Sequence, residues 1–175
     1  NKGTTFLTPN VIIAGGVGSF EPRKFSPKES EKFENKSIFY SVRDKKIFDG
    51  KTVSIFGGGD SALDWAVELS KNCKVNLIHR RDEFRGAQAT VDKVHELAKA
   101  DKINLLTKYQ MSGIKGSDKL ESIDIKHDND ETKTLETDYV LGFFGLIMQL
   151  GPIANWGLNI DKKTNIWYRT SFIRN

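Results

Sequence analysis

Two short stretches of this chain combine residue types that can hold phosphate. The first is Ser54-Ile55-Phe56-Gly57-Gly58-Gly59-Asp60-Ser61-Ala62, where apolar residues run into three glycines and then into small and polar ones. The second, Val75 to Arg85, is an apolar run that empties into His79-Arg80-Arg81-Asp82-Glu83-Phe84-Arg85. Glycine lets a backbone turn tightly and approach an anion without a Cβ in the way. A helix that opens there aims unpaired N–H groups and the positive end of its dipole at the ligand. Guanidinium groups pair with phosphate through charged, often bidentate hydrogen bonds. The chemistry on offer is recognition of a pyrophosphate and of one phosphate more.

Within the first stretch, Gly57 suits the tight exit from a strand and Gly59 the close approach of backbone to pyrophosphate. Ala62 takes the third small position, where helix lies against strand. Gly58 shares the turn, and Asp60 and Ser61 open the helix, so Gly57 to Ala62 are the candidate pyrophosphate residues. A glycine turn alone is a weak signal, because a strand–helix turn can also bind nothing. The strand before it, the amphipathic helix after it and the second strand beyond give it meaning. In an NAD-binding unit an acid sits roughly 20 positions past the first glycine and accepts from the ribose 2′-hydroxyl. Here that place holds His79-Arg80-Arg81. A carboxylate would repel a 2′-phosphate, whereas Arg80, Arg81 and Arg85 would pair with it; His79 reads either as a further donor or as polar surface beside a basic loop. The cofactor indicated is NADP(H) rather than NAD(H). The competing reading is a solvated charge run in which Asp82 and Glu83 neutralise the arginines locally.

These residues need elements to position them, and the hydrophobic period supplies the candidates. Val11 to Ala14 reads as a short strand stopped by Gly15-Gly16, and Pro22 to Lys36 as a connector that is mostly loop. Lys51 to Phe56 is a strand. Asp60 to Lys71 is a helix with Ala62, Trp65, Ala66 and Leu69 on one face. Lys74 to Ile78 is the next strand, and Ala87 to Lys99 a helix burying Val91, Val94, Leu97 and Ala98. The period then changes to two: Ile103–Thr107, Gln110–Ile114, Leu120–His127 and Thr132–Glu136 read as short antiparallel strands, turning at Asp128-Asn129-Asp130. Asp138 to Phe143 returns to a buried strand. The fold class expected is α/β, a Rossmann-like doubly wound parallel sheet with a β-meander in one crossover. Phe143-Phe144-Gly145-Leu146 follows the last strand at the edge where such folds bind ligands; it reads either as a wall beside the nicotinamide ribose or as a buried strand end.

Composition sets the bounds. The chain has 175 residues and a net charge of +4, with lysines mostly interleaved among Asp and Glu, which argues against a nucleic-acid surface. No long apolar run or signal-peptide pattern is present, so no membrane partner is expected. The single cysteine, Cys73, cannot form an internal disulfide and fits a reducing cytoplasm. His79, His95 and His127 lack metal-ligand spacing and no Cys cluster accompanies them, so no metal is expected. No Ser–His–Asp grouping stands out, so the sequence pattern offers no catalytic candidate. The first residue is Asn1, which reads as a piece of a longer protein.

The pair of motifs, GGGDSA at 57–62 and HRRDEFR at 79–85, resembles the NADPH domain of the thioredoxin reductase-like flavoproteins, which carry the pyridine nucleotide-disulfide oxidoreductase type of NAD(P)-binding domain. Within that group the likeness is to the type 2 ferredoxin–NADP⁺ reductases. VIIAGGVGSFEPRK at 11–24, IFYSVR at 38–43 and FFGLIMQLGPIANWGL at 143–158 extend it over most of the chain. The resemblance implies an NADP(H)-binding domain at 23–147 flanked by two stubs of an FAD domain, 1–22 and 148–175, with Phe20 near the flavin and Val17-Gly18 at the crossover. Gly15 and Gly145 would flank the interdomain connections. Hydride would pass from NADPH to FAD, and electrons would leave singly for ferredoxin or flavodoxin. Such relatives are commonly homodimers. The chain as given would not be competent without the FAD domain; the alternatives are a stand-alone NADP(H)-binding module or the NADPH domain of another such flavoprotein. In thioredoxin reductases a redox-active Cys-x-x-Cys occupies the stretch that here reads Tyr40-Ser41-Val42-Arg43. A thiol–disulfide relay needs two exchangeable sulfurs, so an internal dithiol is excluded.

Overall fold

The computed structural model describes residues 3–12 and 19–156. In chain order the strands and helices are β1 (Ser19–Pro22), β2 (Ile38–Phe39), β3 (Thr52–Phe56), α1 (Asp60–Leu69), β4 (Lys74–His79), α2 (Gln88–Lys99), β5 (Ile103–Thr107), β6 (Tyr109–Gly116), β7 (Leu120–His127), β8 (Thr132–Glu136), β9 (Tyr139–Gly142) and β10 (Leu146–Gln149). Short 3₁₀ turns lie at Lys28–Phe33, Lys45–Phe48 and Gly151–Asn155. Internal contacts divide the chain into two units, Asn1–Glu21 with Leu146–Asn175, and Pro22–Gly145.

In the first unit the described ladder is β1 with β10. Gln149 Nε2 donates to Glu21 Oε2 at 3.0 Å. Phe6, Leu7, Val11, Ile12 and Phe20 are exposed.

The second unit is built on a parallel sheet of five strands in the order β2-β9-β3-β4-β5, with α1 and α2 as crossovers. Strands covered on both faces must be apolar on both, and β3, β4 and β9 are. Val53, Ile55, Val75, Leu77 and Leu141 turn to the helices, meeting Ala62, Leu63, Ala66, Leu69 and Val94. Phe56, Ile78 and Val140 turn the other way, onto Tyr109, Leu120, Ile123 and Ile125 of the antiparallel meander β6-β7-β8. One polar row interrupts these strands. Ser54 is in register with Asn76, and Asn76 with Asn104. Asn104 Nδ2 donates to Asn76 Oδ1 at 2.9 Å, Asn76 Nδ2 to Ser54 Oγ at 3.1 Å, and Ser54 Oγ to Thr137 Oγ1 at 3.0 Å. Each buried polar atom thus has a partner, which removes the desolvation penalty it would otherwise carry.

Two expectations change, and a third is refined: the connector is mostly loop, as expected, with one short turn in it. Ile103–Thr107 is not part of the antiparallel group; β5 runs parallel to β4, with Val75 opposite Ile103. Its sequence pattern fits either direction, and the helical crossover α2 decides, since it returns the chain to start a strand alongside β4. Val11 and Ile12 form no strand and are exposed, because a strand persists only where a neighbour accepts its ladder; positions 13–14 lie outside the described residues. The connector at 22–36 contains the Lys28–Phe33 turn, which buries Ser30 and Phe33.

Candidate dinucleotide site

β3, β4 and β9 all end at one edge of the sheet, the carboxyl edge where doubly wound folds take ligands. β3 passes directly into Gly57, which has φ +150°. A Cβ there would lie 2.7 Å from the Phe143 carbonyl oxygen and 2.8 Å from Ala62 Cβ, so crowding by β9 and α1 demands glycine. Gly59 is the N-cap of α1, with φ −100° and ψ 177°, and a Cβ built on it meets nothing within 4 Å. Its carbonyl accepts the Ala62 and Leu63 N–H groups at 3.0 and 3.2 Å. The N–H groups of Gly58, Gly59, Asp60 and Ser61 have no acceptor among the described residues. They form the donor cluster a helix start leaves for an anion. The Asp60 carboxylate is already engaged, its Oδ1 accepting the Ala87 N–H at 2.7 Å, and Ser61 is exposed. Ala62 is fully buried at the helix–strand contact.

The arginine loop follows β4 along the same edge. Arg80, Arg81 and Arg85 are exposed, and none has an ion-pair partner among the described residues. Asp82 pairs instead with Lys108, at 2.8 Å. Local neutralisation by Asp82 therefore does not occur, and the cationic charge faces outward. Arg85 reaches back through its backbone, its N–H donating to the Gly58 carbonyl at 2.7 Å.

His79 differs from the arginines. It is 9% exposed, and its ring is stacked on Phe84 with centroids 5.2 Å apart and planes 22° apart. Nε2 lies 3.1 Å from the Glu83 carbonyl oxygen, which can only accept, so the proton is on Nε2. Burial, with added repulsion from Arg80, Arg81 and Arg85, holds the imidazole below its ordinary value. A fourth positive charge beside the three arginines is thereby disfavoured.

Between turn and loop lies a cavity of about 440 Å³, closed on its other sides by Arg23 to Ser26, Tyr109 to Met111 and Phe143 to Gly145. Its apolar wall is an aromatic cluster: Phe25 meets Phe56 at 5.1 Å and Phe144 at 4.8 Å, both edge-on. Tyr40 braces that wall; its hydroxyl accepts the Phe25 N–H and donates to Glu34 Oε1, each at 3.2 Å, and burial pushes it up to about 12. Phe143 is half-buried in the core, while Phe144 is on the cavity side. Arg23 and Phe25 were not legible as site residues, since they sit in the irregular connector and reach the cavity only through the fold. A larger hollow of about 740 Å³ opens at the amino ends of β3 to β5 over Asn76 and Asn104, but no glycine or arginine lines it. The remaining candidates lie elsewhere. Phe20 is exposed on β1 in the first unit, and Val17-Gly18 is outside the described residues. Cys73 is packed with Sγ 3.1 Å from the Phe48 carbonyl oxygen, and burial pushes its thiol up.

The family model described as "Pyridine nucleotide-disulphide oxidoreductase" matches residues 1–172. The ferredoxin–NADP reductase of Pelagibacter ubique is 68% identical over 164 residues, covering 94% of this chain and 48% of that protein. The ferredoxin–NADP reductase of Rickettsia rickettsii is 44% identical over 162 residues, covering 91% and 48%. Among solved structures, thioredoxin reductase from Lactococcus lactis superposes with a TM-score of 0.73 at 25% identity, over 82% of this chain and 47% of that one. The chain thus spans about half the length of the curated relatives it matches.

Proposed function

The chain belongs to the pyridine nucleotide-disulphide oxidoreductase family, and within it we propose that it is the NADP(H)-binding part of a flavoprotein reductase serving ferredoxin or flavodoxin. The observation that carries this is that Arg80, Arg81 and Arg85 line one cavity with Gly57 to Gly59, and that neither these arginines nor the N–H groups of Gly58 to Ser61 at the start of α1 have partners among the described residues. The N–H groups of Gly58 to Ser61 would hold the pyrophosphate, and Arg80, Arg81 and Arg85 the 2′-phosphate. Gly57 and Ala62 let α1 sit close enough to aim its N-terminus. The aromatic wall of Phe25, Phe56 and Phe144 would shelter the nicotinamide end from water. Bound NADPH supplies a hydride; the chain's own residues bind and orient it.

The described residues offer one glycine cradle, in the second unit, and so fit one dinucleotide. They do not make a site for FAD. FAD, with Phe20 beside it, and the electron acceptor enter because relatives of this chain are ferredoxin–NADP reductases; a homodimer of the complete protein is proposed on the family resemblance alone, and a cytoplasmic setting on the single cysteine. A stand-alone NADP(H)-binding module is the second reading, favoured by that single cradle; an NADPH diaphorase assay separates the two.

Titration calorimetry with NADPH and NADH tests the core of the proposal. The protein is expected to prefer NADPH. Arg80→Ala and Arg81→Ala should each weaken NADPH by roughly tenfold to a hundredfold, the size of one charged hydrogen-bonded pair, and leave NADH nearly unchanged. An unchanged preference in both variants would remove the 2′-phosphate assignment.

A further inference from the structure

The glycine turn and the arginine loop are separate in sequence but joined through one side chain. A Cβ on Gly58 would lie 2.3 Å from His79 Cε1 and 2.4 Å from His79 Nε2, so the backbone of the turn rests directly on the imidazole. The ring's Nε2–H ties it to the Glu83 carbonyl, inside the arginine loop, and Phe84 stacks on the ring. Phe84 in turn meets His95 of α2 with ring centroids 6.1 Å apart, edge-on. Two backbone links complete the seam: the Arg85 N–H to the Gly58 carbonyl at 2.7 Å, and the Ala87 N–H to Asp60 Oδ1 at 2.7 Å. Gly86 continues it, since a Cβ there would be 2.6 Å from Leu63 Cδ1.

We propose that His79 is a positioning residue, a spacer that sets the distance between the pyrophosphate turn and the arginine loop and thereby the preference for a 2′-phosphorylated dinucleotide. It rests on the reading of this cavity as an NADP(H) site. The geometry assigns His79 no contact with phosphate. Its one ring N–H is used on Glu83, and its ring is enclosed between Gly58 and Phe84. What it can do is hold. A ligand bridging turn and loop gains from both only if their separation is fixed before binding, because ordering a loop on binding subtracts from affinity. Loss of the Nε2–H bond releases the loop at Glu83, between the arginine pair and Arg85, while leaving the Gly58 contact, the Arg85 backbone link and the free N–H groups in place. The cost should therefore fall on the 2′-phosphate and spare the pyrophosphate.

Two substitutions separate the functions of the ring. His79→Phe keeps the stack on Phe84 and the contact with Gly58 but has no donor. His79→Gln keeps an amide N–H able to reach the Glu83 carbonyl. NADPH and NADH dissociation constants would be measured by calorimetry on the wild-type protein and both variants, with urea unfolding confirming that each is folded. His79→Phe is expected to lower the NADPH-over-NADH preference by roughly three- to tenfold, the size of one neutral hydrogen bond, with NADH unchanged. His79→Gln is expected to keep the wild-type preference. A folded His79→Phe protein with the wild-type preference overturns the proposal, and so does an equal loss of NADPH and NADH in both variants, which would mark a purely structural residue. Failure of the underlying cofactor reading would show separately, as a wild-type protein with no preference for NADPH.

Discussion

Gly59→Ala is the perturbation that best separates ligand contact from folding, and Gly57→Ala is its control. At Gly59 the backbone is extended, at φ −100° and ψ 177°, and a Cβ meets nothing within 4 Å. Two opposing effects act on stability. Replacing glycine at a permitted conformation stabilises by about 0.4–1 kcal/mol, through the unfolded chain. Alanine is a poorer N-cap than glycine, by several tenths to about 1 kcal/mol. The net should be near zero. Binding is different: a phosphate oxygen bonded to these N–H groups would lie about 2.9 Å from nitrogen, in the open space the methyl fills. Forfeiting even one charge-assisted bond weakens NADPH by roughly tenfold or more. Gly57→Ala should do the reverse. Its φ of +150° and the 2.7 Å approach to the Phe143 carbonyl add backbone strain of about 1–3 kcal/mol to overpacking of about 1–3 kcal/mol. Urea unfolding reads the first quantity and NADPH calorimetry the second. If Gly59→Ala binds NADPH like wild type, or loses as much stability as Gly57→Ala, the division of labour between these glycines is wrong.

Further outcomes follow from neighbouring residues. Gly58→Ala should be destabilising in the wild-type background and far less so beside His79→Ala, because the ring that a Cβ would strike is then gone; a coupling of about 1 kcal/mol or more in a urea double-mutant cycle is expected, and additivity would contradict the contact. His79 is held below its ordinary value of 6.5, so the unfolded chain binds the extra proton more readily. Its contribution to stability is complete above pH 6.5 and is lost as the pH falls through the lower, folded value. The urea midpoint of the wild type should accordingly drop on mild acidification more than that of His79→Gln, and parallel profiles would refute this. Asn76→Ala removes the centre of the Ser54–Asn76–Asn104 row and should cost about 1–3 kcal/mol by urea midpoint, with NADPH affinity unchanged because the row lies away from the carboxyl edge.

Most of the second unit was legible because its elements have long, unambiguous periods. Leu120–His127 and Thr132–Glu136 appear as strands with the expected bounds, and the two helices start at or within a residue of where they were expected. What failed has physical causes. Direction is not written in a strand's own residues, so Ile103–Thr107 was placed with the meander although α2 delivers it parallel to β4. A strand of two residues, Ile38–Phe39, has no period to detect; it exists because β9 offers it a ladder. At the site, the glycine and arginine motifs were visible as residue types in order. The roles within them were not. Gly58 and His79 read as separate candidate ligand contacts, and in the fold they also meet each other, an encounter that depends on β3 and β4 being neighbours in register.

That encounter also bears on how a cavity tells one phosphate from none. A protein surface usually neutralises neighbouring cations, and Asp82, next to Arg81 in sequence, was available to do so. It is drawn instead to Lys108 at the turn between β5 and β6. Arg80, Arg81 and Arg85 then repel one another, and the same repulsion helps keep His79 uncharged. The N–H groups at the start of α1, unpaired among the described residues, add further positive potential along the same edge. In the free protein both features are unfavourable, and a polyanion lying across turn and loop relieves both together. On the proposed reading, discrimination would arise from charge that the fold leaves uncompensated, and replacing Lys108, the partner of Asp82 at 2.8 Å, would be expected to lower the NADPH-over-NADH preference in calorimetry by returning Asp82 to the arginines; an unchanged preference would refute that role.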